Sequence, residues 1–181
     1  SSSTDPSGGV FYPDYFGKDF VLNDLTHDGG LTAIRIEGPT NSVDQRANRL
    51  SKELGLLDQE LSILDSEQSN IFWSRTKNLE VFKSLKSNLL RIVLPMSETL
   101  QVIQKLKNFE IKYFIDWGGG LIWASFDQLN TKILSEIKDT VKKHQGYITL
   151  IKVEEDLKAS ADIFTIDPIK YKISEKIKRS F

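Results

Sequence analysis

Residues 116–120 place a carboxylate, an indole ring and three consecutive glycines between two apolar segments, as Asp116-Trp117-Gly118-Gly119-Gly120. An aspartate at a strand end can act as a base or hold a neighbouring amide, although bonding to its own turn is commoner. Three glycines suit a tight reversal with positive φ, or a backbone that something large must approach closely. The structural alternative is a plain hairpin with core tryptophans on both sides.

Three arginines lie in apolar contexts and could bind an anion, because a guanidinium holds a carboxylate through two parallel hydrogen bonds. Arg75 follows an aromatic pair, and Arg91 lies inside a predicted strand, so that its side chain must face one side of a sheet. These two are stronger candidates than Arg35. The alternative for each is a surface arginine whose stem covers apolar neighbours.

The composition excludes several other chemistries. The chain of 181 residues has no cysteine, which excludes disulfides and thiolate chemistry and fits a cytoplasmic location. Its two histidines, His27 and His144, lie far apart in polar settings, so we predict no metal site. A net charge of −1 argues against nucleic-acid binding. We also find no transmembrane-length apolar run, signal peptide, dinucleotide fingerprint or P-loop.

The second half of the chain predicts the order β-α-β-β-α-β, with strands at 89–94, 111–116, 121–126 and 147–153. Ser97 and Asp127 are the expected caps of its two helices. This order is typical of an α+β, ferredoxin-like (split βαβ) antiparallel sheet with helices on one face.

The first half predicts an additional βαβ segment that extends the same sheet. It comprises a strand at 31–37, a helix capped by Asn41 or Ser42 that ends before Gly55, and a short strand at 61–64. A further helix should start at Asp65 or Ser66.

We therefore divide the chain into an aromatic N-terminal segment (1–30), a ferredoxin-like domain (31–166) and a C-terminal amphipathic helix (167–181). Residues 1–9 of the N-terminal segment indicate an extended or loose stretch. The aromatic side chains that follow should pack, and the segment could dock onto another domain. The lysine-rich final helix indicates a solvated face, or a contact for an acidic partner or a phosphate group.

Four short motifs occur in the same order as in a known family. Residues 116–120 and Trp123 resemble a motif in the C-terminal domain of the FAD-binding subunit of bacterial glycolate oxidase. Residues 5–10 resemble that domain's "DPSGAV" loop. Residues 35–39, with Ser42, Val43 and Arg46, resemble its "R-L-E-G-P … S-V … R" pattern, and residues 90–95 resemble its "W-R-L-S-L-P" strand.

This resemblance implies the cap domain of an FAD-linked oxidase of the vanillyl-alcohol-oxidase type. The implied reaction oxidises a small 2-hydroxy acid, such as glycolate, to the 2-oxo acid. FAD would be bound mainly by an N-terminal flavin domain that this sequence lacks. Electrons would leave through partner subunits, including a flavin subunit and an iron–sulfur subunit. Through these subunits the protein would be attached peripherally to the inner membrane.

On this basis we predict substrate-binding roles for Arg75, Arg91, Asp116 and Trp117, and cofactor-binding roles for Gly118, Gly119 and Gly120. No catalytic residue is assigned. Relative to the family, we expect the first cap strand and helix and the C-terminal tail to be absent as well, so the chain alone should be inactive. The competing hypothesis is a non-catalytic small-ligand or protein-interaction module, since a ferredoxin-like fold alone does not distinguish between these functions and an enzyme.

Overall fold

A computed structural model of the chain describes residues 4–16, 29–55, 61–85, 88–154, 157, 176–177 and 179. These residues fall into two compact units. The first contains the described residues of Ser1–Lys86 together with Tyr113–Gly119, and the second contains those of Ser87–Lys112 together with Gly120–Phe181. Each unit is described by itself below.

The first unit contains strands β1 (Gly8–Tyr12) and β2 (Leu31–Arg35), helices α1 (Thr40–Leu54) and α2 (Ser66–Lys77), and most of strand β4 (Ile111–Asp116). Strand β1 is central and antiparallel to both neighbours. Its core is aromatic, and its buried rings among the described residues are those of Tyr12, Phe16, Phe72, Phe82, Tyr113 and Phe114.

Helix α1 differs from the other helices, because none of its side chains is buried. Its apolar residues Val43, Ala47 and Leu50 are only half covered. Gly55 ends the helix in the left-handed conformation, as its position in the sequence predicted.

The second unit contains strands β3 (Asn88–Val93), β5 (Leu121–Phe126) and β6 (Tyr147–Lys152), and helices α3 (Thr99–Leu106) and α4 (Thr131–Lys143). Strand β3 lies between β5 and β6 and is antiparallel to both. Alternate residues of the three strands form one buried face: Leu90, Ile92, Ile122, Ala124, Ile148 and Leu150. Helices α3 and α4 contact each other and bury their apolar residues.

The predicted fold class is confirmed. The chain is α+β, its strands pair antiparallel, and the order β3-α3-β4-β5-α4-β6 is that of the split βαβ. The first strand of that series pairs with both the third and the fourth, which is the pairing that this motif requires.

Two details of the predicted sheet are wrong. Residues 61–64 form no strand, so the expected additional βαβ segment is not completed there. The sheet of the first unit is extended instead by β1 (Gly8–Tyr12), a strand that we did not predict in the N-terminal segment. That segment's predicted packing is confirmed for Tyr12 and Phe16, which are buried.

Of the starts of α1, α2 and α4, one was predicted correctly and two were not. Asp65 caps α2 through a capping box with Gln68, as expected. The cap of α4 is Asn130, whose side chain accepts from the Ile133 amide at 2.9 Å, and not Asp127. Helix α1 follows Pro39 without a side-chain cap, so Asn41 and Ser42 do not have the predicted role.

The predicted C-terminal helix and its lysine run lie almost wholly outside the described residues. Within the described part of the chain, no helix is both long and apolar enough to span a membrane.

Candidate functional site

The reversal at residues 117–119 has an unusual backbone. Trp117, Gly118 and Gly119 all have positive φ, at 54°, 59° and 114°. For a bulky side chain such as Trp117 this conformation costs about 1–2 kcal/mol, so the surrounding structure must impose it. The glycine-rich sequence is therefore required by a tight turn, as we predicted.

Asp116 has the turn role that its position favours. Its carboxylate accepts a hydrogen bond from the Trp117 amide at 2.7 Å. This contact fixes the amide that enters the reversal. Asp116 is thus a positioning residue for Trp117.

Trp117 itself contradicts the alternative of two core tryptophans, because 58% of its surface is exposed. An exposed indole held on strained backbone is a feature of binding loops rather than of a core. Gly118 adjoins it, and a Cβ built at Gly118 meets no atom within 4 Å. The backbone there can be approached closely from outside.

The reversal is next to β1 in the first unit. A Cβ placed on Gly9 would lie 3.3 Å from the Cα of Gly118, so glycine at position 9 allows this approach. The 5–10 motif and the 116–120 motif, distant in sequence, are therefore in contact.

Arg46 joins the 35–46 motif to the 5–10 motif. Its guanidinium donates to the carbonyls of Thr4 at 2.7 Å and Glu37 at 2.9 Å, and also to that of Asp5. The Ser7 amide donates to the Arg35 carbonyl at 2.8 Å in the same region. Three of the four motifs thus meet within one unit.

Two tyrosines fix the same region by hydrogen bonds. The Tyr12 hydroxyl donates to Thr76 at 3.0 Å, and Thr76 donates onward to the Phe72 carbonyl. Burial raises the pKa of Tyr12 well above its ordinary value of 10.0. The hydrogen bond with Thr76 opposes this rise, and the charge of Asp116 adds to it.

The Tyr15 hydroxyl binds both main-chain groups of Tyr113 on β4, donating to the carbonyl at 3.0 Å and accepting from the amide at 2.8 Å. Burial likewise raises the pKa of Tyr15 above its ordinary value. Sequence reasoning did not identify these contacts, because they join residues far apart in the chain.

Arg75 lies in the last turn of α2, where its Nε is 3.7 Å from the Glu80 carboxylate. The Glu80 carboxylate therefore provides part of the environment of the Arg75 charge. Its side chain is 37% exposed.

Arg91 lies in the middle of β3 in the second unit, directly opposite Trp123 on β5 and Thr149 on β6. All three are half buried and lie on the sheet face opposite the apolar core face. A cation, an indole and a hydroxyl are thus aligned across three strands. Thr149 was not predicted, because β3 and β6 are far apart in the sequence and their pairing could not be inferred from local patterns.

Gly120 differs from the other two predicted glycines. It belongs to the second unit, and its carbonyl accepts from the Leu94 amide at 3.1 Å. Asp116, Trp117, Gly118 and Gly119 form one cluster in the first unit, with Arg75 on a separate helix of that unit, whereas Arg91 belongs to the second. Within the described ranges, no three His, Asp or Glu side chains are placed to hold a metal ion.

Comparison with known proteins adds no family to these observations. No protein-family model matches the chain, and no curated protein matches it.

Proposed function

We propose that this chain is the substrate-side part of a flavin-dependent oxidoreductase that converts a small 2-hydroxy acid, such as glycolate, to the 2-oxo acid. The observation that carries the proposal is the meeting of three motifs in the first unit. Gly9 packs against Gly118, and Arg46 holds the Asp5 carbonyl. These segments are far apart in the sequence and each resembles the same family, and in the fold they contact one another.

The Trp117–Gly119 reversal fits the approach of a flat ring system such as the isoalloxazine of FAD. The space over Gly118 is open, and the Trp117 indole beside it is exposed. Aromatic rings favour offset stacking or edge-to-face contact, which the indole could provide. FAD, when bound, supplies the acceptor for the hydride that leaves the hydroxyl-bearing carbon. In this proposal FAD is held mainly by a flavin domain outside these 181 residues.

Arg91 is the proposed ligand of the substrate carboxylate. Its guanidinium would bind the two carboxylate oxygens, and the Thr149 hydroxyl on the neighbouring strand could donate a further hydrogen bond. Trp123 would form the apolar side of this position. Arg75 is the second candidate, and its Nε lies 3.7 Å from the Glu80 carboxylate.

Asp116, through its bond to the Trp117 amide, would keep the indole exposed rather than act as a base. In this proposal Gly120 has a structural role within the second unit, where its carbonyl accepts from the Leu94 amide, rather than a contact with the cofactor. The base that accepts the substrate hydroxyl proton stays unassigned.

The remaining parts of the proposal concern the assembly. Electrons would pass to partner subunits, among them a flavin subunit and an iron–sulfur subunit. The protein would be cytoplasmic and would reach the inner membrane only through those partners.

The test is glycolate- or lactate-dependent dye reduction by the chain reconstituted with the proposed flavin and iron–sulfur partner subunits. We expect reduction that requires all components. Arg91→Ala should raise the KM for the hydroxy acid about tenfold or more, equivalent to about 1.4 kcal/mol. Thr149→Val, which keeps the side-chain shape, should raise KM by a smaller factor.

Trp117→Ala addresses the cofactor side of the proposal. It should weaken the contact with the flavin subunit or lower kcat, while leaving KM near that of the wild type. Lys52→Ala, at an exposed position of α1, is the matched control and should change neither value. If no 2-hydroxy acid supports reduction, the oxidase proposal fails and the non-catalytic interaction module is favoured.

A further inference from the structure

The second unit contains a row of three ionisable side chains that the proposed function does not use. Glu98 lies just before α3, Lys105 lies near its end, and His144 caps α4. Glu98 and Lys105 are seven residues apart, close to two helical turns, and so project from the same side. His144 lies between them, with its Nδ1 2.6 Å from Glu98 Oε2 and its Nε2 2.9 Å from Lys105 Nζ.

The chemistry of the three groups fixes the direction of these hydrogen bonds. An ammonium only donates, so Nε2 of His144 accepts from Lys105. Nδ1 therefore carries the imidazole proton and donates to the Glu98 carboxylate. A carboxylate that holds an imidazole in this tautomer also stabilises the imidazolium that forms when Nε2 takes a proton.

The row thus has the arrangement of a nucleophile, a base and an orienting carboxylate. His144 is 9% exposed, which keeps its ring in a fixed position, whereas Lys105 is exposed. The amine that would react can therefore be reached from solvent, while its base is shielded.

We propose that Lys105 is a reactive lysine that accepts an acyl group from an acyl phosphate, with His144 as its general base. The Lys105 ammonium gives one proton to Nε2 of His144, and the neutral amine attacks the acyl carbon. The new C–N bond forms as the C–O bond to phosphate breaks. Phosphate leaves with the bonding electron pair, and the amide nitrogen and His144 release their extra protons to water. No oxidant or reductant is needed.

The test is incubation of the full chain with acetyl phosphate, followed by mass spectrometry of acetylation at each lysine. Lys107 and Lys143 are internal references, since both are exposed and close to Lys105 and His144 in sequence. We expect the initial rate at Lys105 to exceed theirs by about tenfold, a modest value for general-base assistance. Equal rates at the three lysines of the wild type would overturn the proposal.

Two variants separate base catalysis from simple exposure. His144→Gln should reduce the Lys105 rate to that of Lys107, while the rates at Lys107 and Lys143 stay unchanged. Glu98→Gln should reduce the Lys105 rate in part, because the imidazolium loses its carboxylate. Glu98→Gln also tests the same step if His144→Gln does not fold. If Lys105 keeps its excess rate in folded His144→Gln, His144 is not its base and the proposal fails.

Discussion

In the second unit, apolar side chains of three neighbouring strands alternate to form one buried face, whereas in the first unit an aromatic cluster is combined with polar side chains that bind the main chain. Strand β3 of the second unit has Leu90 and Ile92 at 0% exposure between similar residues of β5 and β6. In the first unit, Arg46 and Tyr15 bind carbonyls and amides of distant segments.

This difference has a functional meaning. A regular sheet with an apolar face is stable without special contacts, and its opposite face can carry residues such as Arg91. A reversal with positive φ at Trp117 is costly and needs fixed surroundings. Two contacts of the first unit lie at that reversal: the Asp116 carboxylate accepts from the Trp117 amide, and Gly9 of β1 lies against Gly118.

The largest effect is expected from Phe114→Ala in the first unit. Phe114 is fully buried and contacts the rings of Tyr12 and Phe82. Its truncation should cost about 3–5 kcal/mol, since it leaves a cavity among large rings. Chemical denaturation followed by fluorescence measures the change in the free energy of unfolding.

Ile34→Ala is the control for this substitution, because Ile34 is 39% exposed on β2 of the same sheet. It should cost less than about 1 kcal/mol. Similar losses for the two variants would show that the aromatic cluster is not the core of the first unit.

The next effect tests whether polar contacts hold the first unit together. Arg46→Ala removes the hydrogen bonds to the carbonyls of Thr4, Asp5 and Glu37 and should cost about 2–3 kcal/mol. Hydrogen exchange should increase at β1 and α1, because α1 has no buried side chain to hold it otherwise.

Arg46→Lys should recover less than half of that loss, since a single ammonium cannot reproduce the planar fork of donors. Lys52→Ala on the same helix should change stability by no more than about 0.5 kcal/mol. An equal result for Arg46→Ala and Lys52→Ala would contradict the proposed role of Arg46.

The same contrast explains how much of the fold could be predicted from the sequence. Strands β4 and β5 were predicted with their observed bounds, because each is a continuous apolar run that ends at a turn residue or at glycine. Strand β1 was missed, since it begins with Gly8 and Gly9, which are poor strand formers. Its formation depends on pairing with β2 across a gap of about twenty residues in the sequence.

The candidate site was predictable to a similar degree. The turn role of Asp116 follows from local chemistry and was foreseen. The exposure of Trp117 was not, because large aromatic residues are usually buried. The alignment of Arg91, Trp123 and Thr149 depends on the pairing of strands that are far apart in the chain, which local sequence patterns do not reveal.

A smaller effect should come from Tyr12→Phe, which removes a single polar contact of the first unit. At neutral pH the loss of the bond to Thr76 should cost about 1 kcal/mol. Burial raises the pKa of Tyr12 above 10.0, so the native state keeps a proton that the unfolded chain releases at higher pH. This contribution to stability is complete below pH 10 and is lost as the pH rises.

The pH dependence of unfolding above pH 10 measures this contribution. Each such tyrosine should lower the stability of the wild type by about 1.4 kcal/mol per pH unit there. Tyr12→Phe should make this slope smaller by about 1.4 kcal/mol per pH unit, which corresponds to one proton. Parallel curves for the two proteins would show that Tyr12 ionises equally in the native and unfolded states.

The smallest effect is expected at the reversal itself, where Gly118→Ala adds one methyl group to a residue with a φ of 59°. The methyl group meets no neighbour within 4 Å, so the cost should be only the left-handed strain, about 1 kcal/mol. Gly29→Ala is the matched control, because its Cβ also enters open space and its φ is not positive. That variant should be neutral or slightly stabilised.

The comparison separates fold from function, since the methyl group at Gly118 would occupy the space that the flavin ring is proposed to approach. A reconstituted Gly118→Ala enzyme should therefore lose much more activity than its stability explains. Full activity in that variant would exclude close approach of the cofactor to Gly118.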